Sequence, residues 1–208
     1  MPAVPCNALL FDNDGVLVDS DAGALDAWAR WARGRGLDPD DVLPIVHGRR
    51  AADTVARLVP ADERAAALAE IDRLELVTAH TTVAMPGARE LLTSLPAGRW
   101  AVVTSGNEAL ATARLEAAGL PLPDLLVTAD DVTEGKPAPD GYLLAAGRLG
   151  FDPGEVVVFE DSSAGVRAGL AAGAEVVGVG EHARTTEAGA VVRNLSGITW
   201  ADGTLALP

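Results

Sequence analysis

Two aspartates, Asp12 and Asp14, stand two residues apart where the apolar run NALLF meets Asn-Asp-Gly. Two carboxylates at the mouth of what reads as a buried strand call for a reason. A plainer reading is a hairpin, because Asp-Gly between hydrophobic runs suits a type I′ turn and predicts a returning strand at Val16. That reading gives Asp12 no task. Further on, WAVV is followed by Thr104, Ser105, Gly106 and Asn107, the loop after DLLVTAD carries Lys136 within EGKPAPD, and EVVVF leads into Glu160, Asp161 and Ser162. Each of these alone fits capping or turn chemistry. Together they place four carboxylates, one lysine and several hydroxyls behind four strand-like runs. Left without a cation, such carboxylates repel each other and raise one another's pKa. A hard, oxygen-ligated ion resolves this, and Mg²⁺ suits it, keeping some waters and sharing a phosphate.

The elements that must position these residues are legible as a pattern. NALLF, WAVVTS, DLLVTA, EVVVFED, EVVGVG and the weaker AVVR near Ala190 are short apolar runs bounded by turn residues, as buried parallel strands are. Helical patterns lie between them: GARELLTSL after Pro86, EALATARLEAAG ending at Gly119, DGYLLAAGRLG ending at Gly150, and SAGVRAGLAAG ending at Gly173. Strand and helix in alternation predict an α/β class fold, an open Rossmann-like parallel sheet whose ligands bind beyond the carboxyl ends of the strands. From Asp19 to about Val83 the rhythm breaks. ALDAWARWARGRG, RAADTVARLV and a long segment from Asp62 to His80 all read as helices. They predict a small helical module hinged at Val18–Asp21 and Thr82–Pro86, with Trp28 and Trp31 in its core.

Composition narrows the function classes. The chain has 208 residues, is 49% hydrophobic and carries a formal net charge of −14. So acidic a surface repels phosphate backbones and anionic lipid, which argues against nucleic-acid and membrane partners. The single cysteine, Cys6, allows no internal disulfide, and no basic leader or membrane-length apolar run is present, so a cytoplasmic setting is expected. Cys6 itself reads as an inert, buried strand-start residue, and His80 and His182 as surface residues.

FDNDGVLVDS, VVTSGN, GKPAPD and FEDSSAG, in this order, resemble the four motifs of the haloacid dehalogenase superfamily. VHGRRAADTVARLVP and VTADDVTEGKPAPDGYLLAAGRLG resemble its branch of glycerol-3-phosphatases and 2-deoxyglucose-6-phosphatases. The resemblance implies a catalytic core at 1–17 and 84–208 and a helical cap at 18–83, inserted after the first strand. It implies a Mg²⁺-dependent phosphatase of a small sugar or polyol phosphate, acting as a monomer through an aspartyl phosphate. Asp12 is then the nucleophile and Asp14 the general acid and base. Mg²⁺ is held by Asp12, the backbone carbonyl of Asp14 and Asp161, with Glu160 acting through a water or from behind. Thr104, Ser105, Gly106 and Asn107 bind the phosphoryl group, and Lys136 neutralises charge. His47 and Arg50 in the cap, with Arg49 beside them, are candidates for contacting substrate. Asn13 departs from the family pattern, where an apolar residue is more usual, and its side chain is expected to point away from the chemistry. Rival readings are a β-phosphoglucomutase-like mutase, which tends to place Ser-Lys where Gly106-Asn107 stand, a metal-free dehalogenase, which lacks the second aspartate, and a receiver-like phospho-aspartate switch, which carries no helical insertion.

Overall fold

A computed structural model describes residues 3–208. In chain order the first strands are β1 (Ala3–Pro5), β2 (Ala8–Phe11) and β3 (Val18–Asp19). Four helices follow: α1 (Asp21–Gly34), α2 (Pro39–Val42), α3 (Ala51–Leu58) and α4 (Arg64–Thr78). The chain continues through β4 (Val83–Ala84), α5 (Ala88–Ser94), β5 (Trp100–Val103), α6 (Glu108–Ala117), β6 (Leu126–Val127) and α7 (Asp140–Leu149). It ends with β7 (Val156–Glu160), α8 (Ser163–Ala172), β8 (Glu175–Val179), β9 (Ala190–Val192), β10 (Thr199–Ala201) and β11 (Thr204–Ala206).

Six strands form the expected parallel sheet in the order β6-β5-β2-β7-β8-β9. All six apolar runs become strands. β2 lies between β5 and β7, with Phe11 in register with Val102 on one side and Phe159 on the other. Side chains alternate between the two faces, and both faces are covered. Leu9, Phe11, Val102, Val157 and Phe159 pack with Leu91, Leu92 and Leu115 from α5 and α6. Ala8, Leu10, Ala101, Val103 and Val158 pack with Tyr142, Ala145, Ala146 and Val166 from α7 and α8. Gly150 and Gly173 cap α7 and α8 in the left-handed conformation, as expected from the sequence. Pro86 does not open α5, which starts at Ala88 behind Gly87 (φ 85°). A Cβ at Gly87 would strike the backbone of Leu195 and Ser196, so close packing rather than a proline sets that helix start.

The segment between β3 and β4 is helical, as its lack of strand pattern predicts. Trp28 and Trp31 meet edge to face, 5.3 Å apart, among Val42, Val55, Ala67 and Ile71. The Trp31 indole donates to Ala67 O at 2.9 Å, so its one polar atom is satisfied. The hinges prove more ordered than the sequence suggests: β3 and β4 pair antiparallel, Val18 with Ala84 and Asp19 with Val83.

The hairpin reading of Asn-Asp-Gly fails. Gly15 (φ 80°) does turn the chain, but no strand returns along β2, because β5 and β7 already occupy both of its edges. The same dipeptide does make a hairpin at Asp202-Gly203 (φ 49° and 74°), between β10 and β11. That hairpin and β1 form a small antiparallel sheet absent from the sequence reading. Among the described residues, no helix is long and apolar enough to cross a membrane.

Candidate active site

The carboxyl end of β2 delivers Asp12 between the ends of β5 and β7, where Thr104 and Glu160–Asp161 emerge. Lys136 arrives from the loop before α7. Its ammonium uses all three protons: Nζ donates to Asp12 Oδ1 at 2.6 Å, to Glu160 Oε1 at 2.6 Å and to Val103 O at 3.1 Å. The lysine lies buried with its charge fully matched. Burial works against that charge, but Asp12 and Glu160 outweigh it and raise the Lys136 pKa. Burial also pushes the Asp12 carboxyl well up. Lys136 opposes this, while Glu160, Asp161 and Asp14 add to it. Asp161 is raised in the same way, chiefly by burial. The carboxylate repulsion expected of the sequence pattern adds to burial and is the smaller cause.

Glu160, fully buried, is saturated by the protein. Oε1 accepts from Lys136 and from the Tyr142 hydroxyl (2.8 Å), and Oε2 from the amides of Asp161 and Ser162 and the Ser162 hydroxyl. Five donors fill this carboxylate. One oxygen each from Asp12, Glu160 and Asp161 nevertheless lies within 4.8 Å of the others. Among the described residues, only Lys136 donates to the Asp12 side chain and only His47 pairs with that of Asp161, so both carboxylates keep an oxygen for the cavity they line. These oxygens fit a hard divalent cation. A Cβ at Gly15 would run into the Asp161 carboxylate, so only glycine lets the turn pass this close.

Thr104 and Ser105 line the same cavity. The Thr104 hydroxyl accepts from the Gly106 amide at 3.0 Å, and Asn107 caps α6 by accepting from Leu110 N at 2.9 Å. The helical insertion closes the other side. Ser105 Oγ donates to Gly48 O at 3.3 Å, and a Cβ at Gly48 would meet Ser162. His47 Nε2 donates to Asp161 Oδ2 at 3.2 Å, which pushes the imidazole pKa up to about 9, and its ring sits 5.5 Å from that of His182. His182, expected at the surface, is exposed but flanks the cavity through this contact. Arg50 reaches the cavity wall with its guanidinium already engaged: it grips Asp53 bidentately and donates to Val132 O and Thr133 O of the loop leading to Lys136. Arg49 lines the cavity and makes no ion pair among the described residues.

Asp14 lines the same cavity and is anchored through one oxygen by two donors. Oδ1 accepts from Ser20 Oγ at 2.6 Å and from Arg114 Nη1 at 3.0 Å. Asn13 is fully buried and does not line the cavity; its Nδ2 donates to Asp14 Oδ2 at 3.4 Å. Ser20, Tyr142, Arg114 and Glu75 were not singled out by the sequence. The last two had a signal: each is a charge on an otherwise apolar helix stripe, Arg114 beside Leu110, Ala111 and Leu115, and Glu75 in step with Ala67 and Ile71.

The haloacid dehalogenase-like hydrolase family matches residues 6–173. Hexitol phosphatase A of Escherichia coli is 46% identical over 93% of this chain and 94% of its own. Glycerol-1-phosphate phosphohydrolase 1 of Saccharomyces cerevisiae is 37% identical over 83% of this chain and 74% of its own. Among solved structures, a β-phosphoglucomutase from Clostridium difficile superimposes with a TM-score of 0.81, covering 91% and 92% of the two chains at 22% identity, a likeness of fold. The chain, with its aspartate pair, its lysine and its acidic strand end converging on one cavity, belongs to the haloacid dehalogenase-like hydrolases.

Proposed function

We propose that this protein is a Mg²⁺-dependent phosphatase of a small sugar or polyol phosphate monoester, with a catalytic core at 1–17 and 84–208 and a cap at 18–83. The observation that carries the reading is the placement of Asp12. Its carboxylate stands at the end of the central strand, clamped on one oxygen by Lys136, with the other oxygen open to the cavity shared with Thr104 and Asp161. In this reading Asp12 attacks phosphorus. The bond to the leaving oxygen breaks, and Asp14 supplies the proton that the departing alkoxide takes up. Asp14 then removes a proton from the water that attacks the aspartyl phosphate, releasing phosphate and restoring Asp12. Thr104 and the amides of Ser105 and Gly106 bind phosphoryl oxygens, with Asn107 fixing the helix start behind them. Mg²⁺, held by Asp12, the Asp14 carbonyl and Asp161, would supply charge stabilisation in the transition state. His47 and Arg49 face the substrate from the cap.

The substrate class rests on the relatives and on the cavity wall. Its volume of about 240 Å³ suits a small ester. Asp21, Asp72 and Asp130 add carboxylates to its lining, while Arg50 and Arg114 are already paired. Such a wall accepts hydrogen bonds from the hydroxyls of a polyol, with His47 and Arg49 as the cap's cationic side chains facing the bound ester. A monomer in the cytoplasm acting on a free metabolite belongs to the same reading. It is supported by the net charge of −14 and by the single buried Cys6. The test is phosphate release from a panel of hexitol, glycerol and hexose phosphates with Mg²⁺. Asp12→Asn is the control, expected to abolish release. An isomerised sugar phosphate in place of free phosphate would refute the hydrolase reading in favour of a mutase.

A further inference from the structure

Arg114 is among the most buried charged side chains of the molecule, at 5% exposure, and none of the family motifs contains it. It projects from α6 of the core, and its guanidinium joins two carboxylates of different origin. Nη1 donates to Asp14 Oδ1 at 3.0 Å, in the core. Nη2 donates to Glu75 Oε1 at 3.1 Å, on α4 of the helical insertion, and Glu75 is itself 7% exposed. Nε has no partner. A buried triad of this kind is a weak source of stability, because desolvating three charges consumes most of what their attraction returns. Its geometric effect is definite. A planar guanidinium with two fixed partners has one orientation, and Asp14 Oδ1 is held by it together with the Ser20 hydroxyl at 2.6 Å. The carboxylate is thereby pinned through one oxygen while Oδ2 stays clear of both donors. The pin holds only while α4 sits against α6, because Glu75 is the second anchor.

We propose that Arg114 is a positioning residue for Asp14. It orients the acid–base carboxylate and makes that orientation depend, through Glu75, on the helical insertion being seated on the core. This rests on the phosphatase reading above. It separates from that reading by the nature of the leaving group. An alkoxide from a polyol phosphate needs a proton as it departs, whereas p-nitrophenolate leaves as a stable anion. The value of kcat/KM covers the steps up to that departure and excludes the later hydrolysis of the aspartyl phosphate, in which Asp14 acts as a base.

The experiment measures kcat/KM of wild type, Arg114→Gln and Glu75→Gln with the best polyol phosphate and with p-nitrophenyl phosphate, alongside circular dichroism and thermal melting. In Arg114→Gln, the polyol phosphate is expected to lose about 100-fold, the lower end of what a positioned general acid contributes, and the aryl phosphate less than about threefold. Glu75→Gln keeps the arginine and the shape of the side chain. It should show the same selectivity with a smaller loss, about tenfold on the polyol phosphate. Equal losses on both substrates would overturn the proposal, since a merely structural role lowers them together. Should Arg114→Gln fail to fold, the Glu75→Gln ratio decides, and an unchanged ratio overturns the coupling to the insertion. A wild type inert toward every polyol phosphate would instead refute the phosphatase reading.

Discussion

Replacing Lys136 with methionine keeps the length and apolar stem of the side chain and removes only its charge and three hydrogen bonds. In the wild type that charge is shared between Asp12 and Glu160, 2.6 Å from each. Glu160 keeps four other donors in the variant. Asp12 keeps no side-chain donor, so the variant must either bury an unmatched carboxylate or protonate it. Protonation sets the ceiling. Protonating an ordinary carboxyl, of pKa ~3.9, at pH 7 costs ~4 kcal/mol. An orphaned Val103 carbonyl adds about 1 kcal/mol. The total agrees with the ~3–5 kcal/mol typical of a broken buried ion pair.

The sign follows from proton binding. The folded variant holds a proton on Asp12 that the unfolded chain lacks, so its stability falls as pH rises from the unfolded pKa toward the raised folded one. Near pH 5 the ceiling drops to ~1.5 kcal/mol, because only about one unit separates the two states. Urea unfolding of wild type and Lys136→Met, with a chelator present, measures the difference directly. It should be at most about 5 kcal/mol near pH 7 and about half of that near pH 5. A difference that stays flat between these pH values would refute the assignment of the lysine's charge to Asp12.

Three further outcomes are expected. Gly15→Ala should fold, with a cost of ~1–2 kcal/mol for a left-handed residue bearing a Cβ, yet lose at least about tenfold in Mg²⁺ affinity by calorimetry, because the new methyl displaces Asp161. Tyr142→Phe removes the hydroxyl that donates to Glu160 at 2.8 Å and should lower stability by ~1–2 kcal/mol in chemical denaturation, with kcat changed less than about threefold. Mg²⁺ should raise the melting temperature, by ~2.7 kcal/mol of stabilisation at a hundred times Kd. Its apparent affinity should weaken as pH falls, because burial and mutual repulsion raise Asp12 and Asp161 and protons then compete for the same oxygens. Equal affinity across that range would contradict the raised values.

The parallel sheet and the motif residues were legible because buried parallel strands are continuous apolar runs, and because active-site polar residues must follow their carboxyl ends. Asp12, Thr104, Lys136 and Asp161 could be found by reading what comes after each strand. The short pairings were not legible. β3 and β4 have two residues each, too few to show a period, and β10–β11 carry no apolar run to mark them. Arg50 illustrates a different limit. A cationic loop residue looks available for substrate, and only the fold shows Asp53 and two carbonyls taking up its donors. Arg114 and Glu75 were readable one at a time, as misplaced charges on apolar helix stripes. That they answer each other depends on how α4 crosses α6, which no local pattern contains.

The two-residue pairing of Val18–Asp19 with Val83–Ala84 sets the chain's entry to the helical segment directly beside its exit. Everything between them is therefore a single excursion that leaves and rejoins the chain at one point. A tight turn could join the two strands without disturbing a single hydrogen bond of the parallel sheet, and a different set of helices could be spliced in at the same place. Ser20 and Glu75 lie within that excursion and hold Asp14 and Arg114, so a graft at this junction would have to bring a hydroxyl and a carboxylate of its own to the same two places.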